Sequence, residues 1–236
     1  MRGVVFDLDG TLLDTIVDIA DASNRVFGSR GLAPFSIEEL KTLVGEGAEE
    51  LVRKAFKARG AALHDDSDMA AIIRDFRRDY EACWRIHSRP YADIPELLSD
   101  LARRGIRTAV LSNKAQMFTA LMTGKLLPAH NFDIVRGALP GVPLKPDPAP
   151  ALAIAAELGI APADCAFVGD TSIDMQTARA ARMFAIGALW GFRTAEELRS
   201  NGADVLAAAP TDILDLLENR GHRRRLARRG SFEPVR

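Results

Sequence analysis

Two carboxylates at alternate positions follow a short apolar run near the start of the chain. Val4–Phe6 is rich in β-branched residues, which is typical of a strand buried in a parallel sheet. Asp7 and Asp9 come directly after it, and Gly10 and Thr11 favour a sharp turn there. Open α/β sheets bind ligands at the carboxyl ends of their strands. An acidic turn without function is the alternative for this stretch alone, so the interpretation depends on residues further along.

Further polar side chains follow later apolar runs in the same way. Ile106–Leu111 ends in Ser112, Cys165–Val168 is followed by Asp170, and a lysine lies in a proline-rich loop between them. The carboxyl ends of parallel strands meet at one edge of a sheet. We therefore expect one site to contain Asp7, Asp9, Ser112, Lys145, Asp170 and Asp174.

The charge of such a site predicts a metal ion. Carboxylates about 4 Å apart repel by about 4 kcal/mol per pair at an effective dielectric constant of 20, and one lysine cannot offset four acids. Oxygen ligands without histidine or cysteine favour Mg²⁺ over Zn²⁺, and Mg²⁺ in proteins commonly binds one or two carboxylates and a substrate phosphate. Lys145 and Ser112 are suited to hold the same phosphate from the other side.

The alternation of strands and helices predicts an α/β fold with a doubly wound, Rossmann-like parallel sheet. Asp9 and Ser112 are 103 positions apart, whereas one βαβ unit takes about 30 residues. The surplus has helical periodicity and predicts an inserted helical cap at residues 15–89, with the core formed by 1–14 and 90–219. The predicted helices of the insert are Ile16–Phe27, Ile37–Val44, Ala48–Arg59 and Asp68–Ile86.

The composition restricts the class of protein. The chain has 236 residues, of which 47% are hydrophobic and 27% charged, and its net charge is −1. These values suit a buried core and predict no general affinity for nucleic acid or membranes. The two cysteines do not suggest a disulfide framework, and no run approaches the ~20 apolar residues of a membrane span. We expect a cytoplasmic protein, monomeric or homodimeric.

Residues 220–236 are strongly basic, with seven arginines and one glutamate. The simplest interpretation is a disordered, solvated tail. An arm that binds an anion or docks on a partner is the alternative.

The order of the motifs resembles the haloacid dehalogenase (HAD) superfamily. The resemblance rests on four motifs, Asp7-x-Asp9-Gly10-Thr11, Ser112-Asn113, Lys145-Pro146 and Gly169-Asp170-x-x-x-Asp174. The insert resembles the C1-type cap of that superfamily. Two further stretches, 43–47 and 190–193, are similar to phosphoglycolate phosphatases.

The resemblance implies roles for the acidic residues. It makes Asp7 the nucleophile that forms an aspartyl-phosphate, and Asp9 the acid and base that protonates the leaving alcohol and activates water. It implies that Mg²⁺ is held by the carboxylates of Asp7 and Asp170 and by the backbone carbonyl of Asp9. Asp174 is implied to lie beside the metal or to bind it through water.

The resemblance also implies which residues hold the substrate. Ser112, the backbone of Asn113, and Lys145 are implied to stabilise the phosphoryl oxygens as charge develops on them. A loop of the cap is implied to contact the organic part of the substrate, through Gly45, Glu46 and Gly47.

These roles predict a Mg²⁺-dependent phosphatase acting on a small phosphate monoester, with 2-phosphoglycolate as the expected substrate. A dehalogenase is disfavoured because that branch lacks the second acid, which is Asp9 here. The remaining alternatives are phosphoryl transfer like that of β-phosphoglucomutase, or hydrolysis of pyrophosphate or a sugar phosphate. In a different class, a catalytically silent protein that binds a phospho-ligand would use the same pocket.

Overall fold

Eight strands, ten α-helices and one short 3₁₀ helix (Pro162–Asp164) are present in the computed structural model, which describes residues 1–220. The strands are β1 (Gly3–Phe6), β2 (Leu13–Asp14), β3 (Arg89–Pro90), β4 (Arg107–Ala115), β5 (Ile134–Ala138), β6 (Cys165–Gly169), β7 (Phe184–Ala188) and β8 (Val205–Ala207). Six of them form one sheet in the order β5-β4-β1-β6-β7-β8, and all its neighbours are parallel. The predicted parallel α/β fold is confirmed.

The helices alternate with the strands after Pro90. They are α1 (Ile16–Gly28), α2 (Ile37–Leu43), α3 (Ala48–Ala58), α4 (Asp66–Cys83), α5 (Ile94–Arg103), α6 (Gln116–Leu126), α7 (Ala149–Glu157), α8 (Ser172–Ala180), α9 (Ala195–Ser200) and α10 (212–220). The four helices predicted for the insert are confirmed, with ends that differ by a few residues. The start of α4 is earlier than predicted because the side chain of Asp65 accepts a hydrogen bond from the backbone of Asp68.

The central strands of the sheet are buried on both faces. Along β1, Val4 and Phe6 belong to one hydrophobic cluster and Val5 belongs to the other. Successive side chains of a strand point to opposite faces, so both faces need apolar cover. This explains why the strands could be recognised as short continuous apolar runs. In this sheet β1 lies between β4 and β6.

A short antiparallel pair, β2 with β3, was not predicted from the sequence. Leu13 pairs with Pro90, and Asp14 pairs with Arg89. Two-residue strands give no periodic signal, and proline argues against a strand. The pair brings the start and the end of the helical insert side by side. Both predicted boundaries fall on this pair, although the division into core and cap stays a prediction.

The strand β4 is longer than the apolar run that predicted it. It continues to Ala115, which pairs with Ala138, and its register shifts between Leu111 and Ala115. Ser112, Asn113 and Lys114 lie in this irregular part. Irregularities of this kind change the direction in which side chains point, and they are common beside functional sites.

Two predictions about the chain as a whole can be compared with residues 1–220. Cys83 and Cys165 are both buried and unpaired, as predicted. Within the described residues, no helix combines the length and apolar character that crossing a membrane would need. The predicted disordered tail lies outside the described residues from position 221 onward.

A buried aspartate in α1 fixes the segment that returns from the insert. The carboxylate of Asp18 accepts hydrogen bonds from the backbone of His87 at 3.0 Å and from the backbone of Ser88 at 2.8 Å. It also accepts one from the Ser88 hydroxyl at 2.7 Å. Because Asp18 is 1% exposed, these donors satisfy a charge that has little contact with water.

We expect Asp18→Ala to lower the free energy of unfolding by about 2–3 kcal/mol, because it leaves buried donors without an acceptor. Asp21→Ala on the same helix is the matched control, since Asp21 is exposed. Urea denaturation followed by circular dichroism measures both. Equal stability of the two variants would show that Asp18 does not hold the return segment.

Candidate active site

Three buried carboxylates meet at the carboxyl edge of the sheet. Asp7 follows β1, Asp170 follows β6, and Asp174 lies in the first turn of α8. One oxygen from each lies within 4.8 Å of the others. Asp170 and Asp174 are fully buried, and Asp7 is 5% exposed. The predicted convergence of these three residues is therefore present in the structure.

Lys145 supplies the cation that contacts this cluster directly. Its Nζ lies 2.8 Å from Asp7 Oδ1 and 2.7 Å from Asp174 Oδ1. Burial alone would lower the pKa of Lys145, but the carboxylates of Asp174 and Asp7 raise it above its usual value. The lysine therefore stays protonated and links two of the acids.

One ammonium does not compensate three buried carboxylates. Burial, and after it the Asp174 carboxylate, raises the pKa of Asp7 to about 7. The same two causes raise the pKa of Asp170 well above its usual value. The charged forms of these acids are destabilised until further positive charge is present.

The position of Asp170 is fixed by close contacts on both of its oxygens. Oδ1 accepts a hydrogen bond from the Thr11 hydroxyl at 2.7 Å, and Oδ2 accepts one from the backbone of Phe192 at 2.9 Å. A Cβ at Gly10, where φ is +83°, would lie 2.3 Å from Asp170 Oδ2. A Cβ at Gly191 would lie 2.2 Å from Asp170 Cβ. Only glycine allows the backbone to approach so closely.

Asp174 has partners on both oxygens as well. Oδ1 contacts Lys145, and Oδ2 accepts hydrogen bonds from the backbone and hydroxyl of Thr171 at 3.0 and 2.7 Å. The bonds to Thr171 also cap the start of α8. Asp174 is thus held in place at the edge of the cluster, beside Asp7 and Asp170.

Asp9 does not join the other carboxylates, which corrects the expectation of four acids in one cluster. Its Oδ1 accepts a hydrogen bond from the Thr15 hydroxyl at 2.7 Å, and both of its oxygens lie 3.1 Å from Lys114 Nζ. The chain turns tightly here, because the backbone of Gly10 donates to Leu13. Strand alternation ends at this turn, so Asp7 and Asp9 face different partners.

Lys114 is a site residue that the sequence analysis missed. Its ammonium lies 4.4 Å from the centre of the Tyr80 ring, and its side chain is 11% exposed. Burial would lower its pKa, but the Asp9 carboxylate raises it. The feature of the sequence that could have predicted Lys114 is a lysine directly after Ser112 and Asn113, at the end of a strand.

Asn113 connects the loop of Lys145 with the insert. Its Oδ1 accepts a hydrogen bond from the backbone of Lys145 at 2.9 Å, and its Nδ2 donates to the carbonyls of Lys145 at 2.9 Å and Gly45 at 3.1 Å. Ser112 is buried, and its Oγ accepts a hydrogen bond from the backbone of Lys114 at 3.2 Å. The hydroxyl proton of Ser112 therefore remains available to a ligand.

A cavity of about 400 Å³ opens at this edge of the sheet. Its lining contains both halves of the predicted site, namely Asp7, Asp9, Ser112 and Asn113 from the core and Gly45, Glu46 and Gly47 from the insert. Lys145, Asp170 and Asp174 lie outside the lining and are buried. The structure therefore brings all the predicted site residues to one region, with Asp7 between the buried cluster and the cavity.

The loop after β7 connects the cluster to the insert. The backbone N–H of Phe192 donates a hydrogen bond to Asp170. The guanidinium of the next residue, Arg193, donates to three backbone carbonyls, those of Thr42 at 3.3 Å, Val44 at 2.9 Å and Lys41. These carbonyls lie at the C-terminal end of α2, which has unsatisfied acceptors. One loop therefore supports both the carboxylate cluster and the entrance of the cavity.

The fold and the site together define an α/β protein with a carboxylate cluster at the ends of its parallel strands. A family model described as haloacid dehalogenase-like hydrolase matches residues 4–188. The chain belongs to this family. The resemblance recognised in the four sequence motifs is thereby confirmed.

Individual relatives agree with this assignment. Phosphoglycolate phosphatase of Xylella fastidiosa is 33% identical over 196 residues, which cover 83% of this chain and 83% of that protein. N-acetylmuramic acid 6-phosphate phosphatase of Pseudomonas aeruginosa is 30% identical and covers 92% of this chain and 95% of its own length. A crystal structure from Lactobacillus delbrueckii subsp. bulgaricus, described as a candidate phosphoglycolate phosphatase, has a TM-score of 0.85 at 27% identity. It covers 92% of this chain and 98% of its own.

We expect Arg193→Ala to release the end of α2, because three carbonyls lose their donor. Hydrogen exchange followed by mass spectrometry should show faster exchange in residues 40–47 and no change in β1. Arg199→Ala is the matched control, since Arg199 is exposed in the following helix. Unchanged exchange in Arg193→Ala would mean that the guanidinium does not hold this segment.

Proposed function

We propose that this protein is a Mg²⁺-dependent phosphatase that hydrolyses small phosphate monoesters, 2-phosphoglycolate among them, through an aspartyl-phosphate on Asp7. The observation that carries the proposal is the position of Asp7. Its carboxylate lines the cavity and at the same time contacts Lys145 at the buried cluster. A substrate phosphate beside Ser112 would therefore lie next to a carboxylate nucleophile and a fixed cation.

Asp7 is oriented for attack by contacts to one of its oxygens. Oδ1 accepts a hydrogen bond from the backbone of Leu8 at 2.7 Å and contacts Lys145 Nζ at 2.8 Å. A carboxylate held in this way attacks phosphorus, forms an acyl phosphate, and displaces the alcohol of the ester. Hydrolysis of the acyl phosphate by water then restores Asp7 and releases phosphate.

We assign the proton transfers of both steps to Asp9. It lines the same cavity as Asp7, and the contacts to Thr15 and Lys114 fix the direction of its carboxylate. In the first step it gives a proton to the leaving alkoxide, and in the second it takes one from the attacking water. Lys114 acts here as a positioning residue for Asp9.

The donor set around Asp7 fits a divalent cation that prefers oxygen. Three carboxylates lie within 4.8 Å of one another without histidine or cysteine in the group, and the pKa of two of them is raised. The carboxylates of Asp7 and Asp170 and the backbone carbonyl of Asp9 would hold Mg²⁺, with Asp174 beside it. When bound, the cation neutralises charge on the phosphoryl group and on the acids that surround it.

Phosphoryl oxygens would have further donors among the neighbouring residues. Ser112 keeps its hydroxyl proton available, the backbone of Asn113 lies beside it, and Lys145 is held protonated by its acidic neighbours. These donors stabilise the charge that spreads over the equatorial oxygens in the transition state. We assign residues 15–89 the role of a cap that excludes water, with Gly45, Glu46 and Gly47 contacting the substrate.

The choice of 2-phosphoglycolate is supported by the name of the Xylella fastidiosa relative. Release of inorganic phosphate from a panel of esters distinguishes this function from its alternatives. A mutase would transfer the phosphoryl group to a sugar phosphate, a pyrophosphatase would prefer pyrophosphate, and a silent binding protein would release nothing.

We expect Asp7→Asn to lower kcat below about a hundredth of the wild-type value, because an amide does not attack phosphorus. Phosphate release from 2-phosphoglycolate measures kcat, and circular dichroism checks the fold. Asp21→Asn is the control for an exposed aspartate and should retain wild-type turnover. Activity of Asp7→Asn above a hundredth of wild type would exclude the covalent role.

We expect Mg²⁺ to raise the melting temperature, because it relieves repulsion in the cluster only when the chain is folded. At 100 times its Kd, a bound ligand stabilises a protein by about 2.7 kcal/mol. Differential scanning fluorimetry with Mg²⁺ and with EDTA measures the shift. Asp170→Asn should reduce the shift, and Asp21→Asn should keep it. An equal shift in both variants would place the metal elsewhere.

A further inference from the structure

Part of the cavity lining is built from apolar side chains of three separate segments. Besides Asp7 and Ser112, the lining contains apolar side chains from α4, from α6 and from the loop 139–144. We call this set the apolar wall, and it comprises Ile73, Phe76, Phe118, Leu139, Val142 and Leu144.

The size of the cavity exceeds what the smallest expected substrate needs. A volume of about 400 Å³ lies within the range of roughly 300–1,000 Å³ that holds drug-sized ligands. The organic part of 2-phosphoglycolate is a two-carbon acid. With its phosphate beside Asp7 and Ser112, this substrate would leave much of the cavity unfilled.

The loop 139–144 exposes large apolar side chains at the edge of the cavity. Leu139 is 46% exposed, and Val142 and Leu144 are each 39% exposed. Within residues 1–220 only six large apolar side chains are 39% or more exposed, and three of them lie on this loop. Such clustering marks a binding surface more often than chance exposure.

The aromatic part of the wall is preformed. The rings of Phe76 and Tyr80 are stacked with centres 5.7 Å apart and an angle of 13°, and Tyr80 meets Phe118 edge to face at 5.1 Å. Tyr80 is also the ring beneath the ammonium of Lys114, which contacts Asp9. The aromatic group is therefore connected to Asp9, the proposed acid and base, through Lys114. Aromatic faces provide flat surfaces on which a ring with an apolar side can pack.

We propose that the cavity accepts, besides 2-phosphoglycolate, phosphate monoesters whose alcohol carries a ring with an apolar face, and that the apolar wall binds that ring. The inference rests on the proposed phosphatase function and specifies a substrate class for the same site. The phosphate of such an ester lies beside Asp7 and Ser112, and its ring lies against Phe76 and Phe118. Hydrolysis follows the same two steps and releases the ring alcohol and phosphate.

The test compares kcat/KM for 1-naphthyl phosphate, glucose 6-phosphate and 2-phosphoglycolate in the full chain with Mg²⁺. We expect both ring esters to be hydrolysed. In Phe76→Ala, the ratio of kcat/KM for 1-naphthyl phosphate to that for 2-phosphoglycolate should fall about tenfold. The reason is that the naphthyl ring loses an apolar contact, whereas 2-phosphoglycolate has no ring to lose one. Phe76→Leu should restore part of the ratio.

Phe132→Ala is the matched control, because Phe132 is also partly buried, packs on His130, and lies outside the cavity lining. Its substrate ratio should equal that of the wild type. Val142→Ser provides a second variant of the wall on an exposed loop, where the fold is not at risk. It should lower the ratio in the same direction as Phe76→Ala.

The outcomes separate this inference from the proposed function. Hydrolysis of 2-phosphoglycolate without hydrolysis of ring esters, or an equal effect of Phe76→Ala and Val142→Ser on both substrates, would overturn the inference and leave the phosphatase intact. If no ester is hydrolysed, the proposed function fails. Calorimetric binding of 1-naphthyl phosphate to wild type, weakened in Phe76→Ala, would then support the inference, and absence of binding would overturn it.

Discussion

The repulsion among three buried carboxylates is the constraint on which the rest of the structure depends. Two like charges about 4 Å apart repel by about 4 kcal/mol at an effective dielectric constant of 20, and Lys145 contacts only two of the three acids. The raised pKa of Asp7, about 7, is the direct consequence of burial and of Asp174. A chain that keeps these groups together gives up stability to do so, which is the usual sign of a functional site rather than of residues selected for folding alone.

The parallel sheet is what makes this convergence possible. Because β1 lies between β4 and β6, the carboxyl ends of three strands deliver Asp7, Ser112 and Asp170 to one edge. The loops between strands and helices then add contacts between the cluster and the insert. Asn113 joins the Lys145 loop to Gly45, and the loop after β7 joins Asp170 to the end of α2 through Phe192 and Arg193. The geometry of the cluster and the position of the insert therefore depend on the same few segments.

Much of this could be predicted from the sequence, and the remainder has a physical explanation. Buried parallel strands are continuous apolar runs, so β1, β4 and β6 and the polar residues that follow their apolar runs could be recognised from pattern alone. The pairing of β2 with β3 left no pattern because each strand has two residues. The directions of Asp9 and Lys114 depend on a tight turn and on the register shift in β4, which periodicity does not encode. Roles that depend on residue type could therefore be predicted from the sequence. The contacts between side chains within the site, such as that of Asp9 with Lys114, could not.

The residues proposed for catalysis and the residues proposed to bind the organic part of the substrate come from different parts of the chain. The groups proposed for chemistry are almost completely buried and are fixed by hydrogen bonds, as Asp170 and Asp174 show. The apolar wall comes instead from α4, α6 and an exposed loop, none of which contributes a carboxylate to the cluster. In the proposed site, changes in the wall would therefore alter which alcohol fits without disturbing the three carboxylates of the cluster. A site with the proposed arrangement would keep one reaction while its range of substrates changes, because packing of the organic group and stabilisation of the phosphoryl group would involve separate residues.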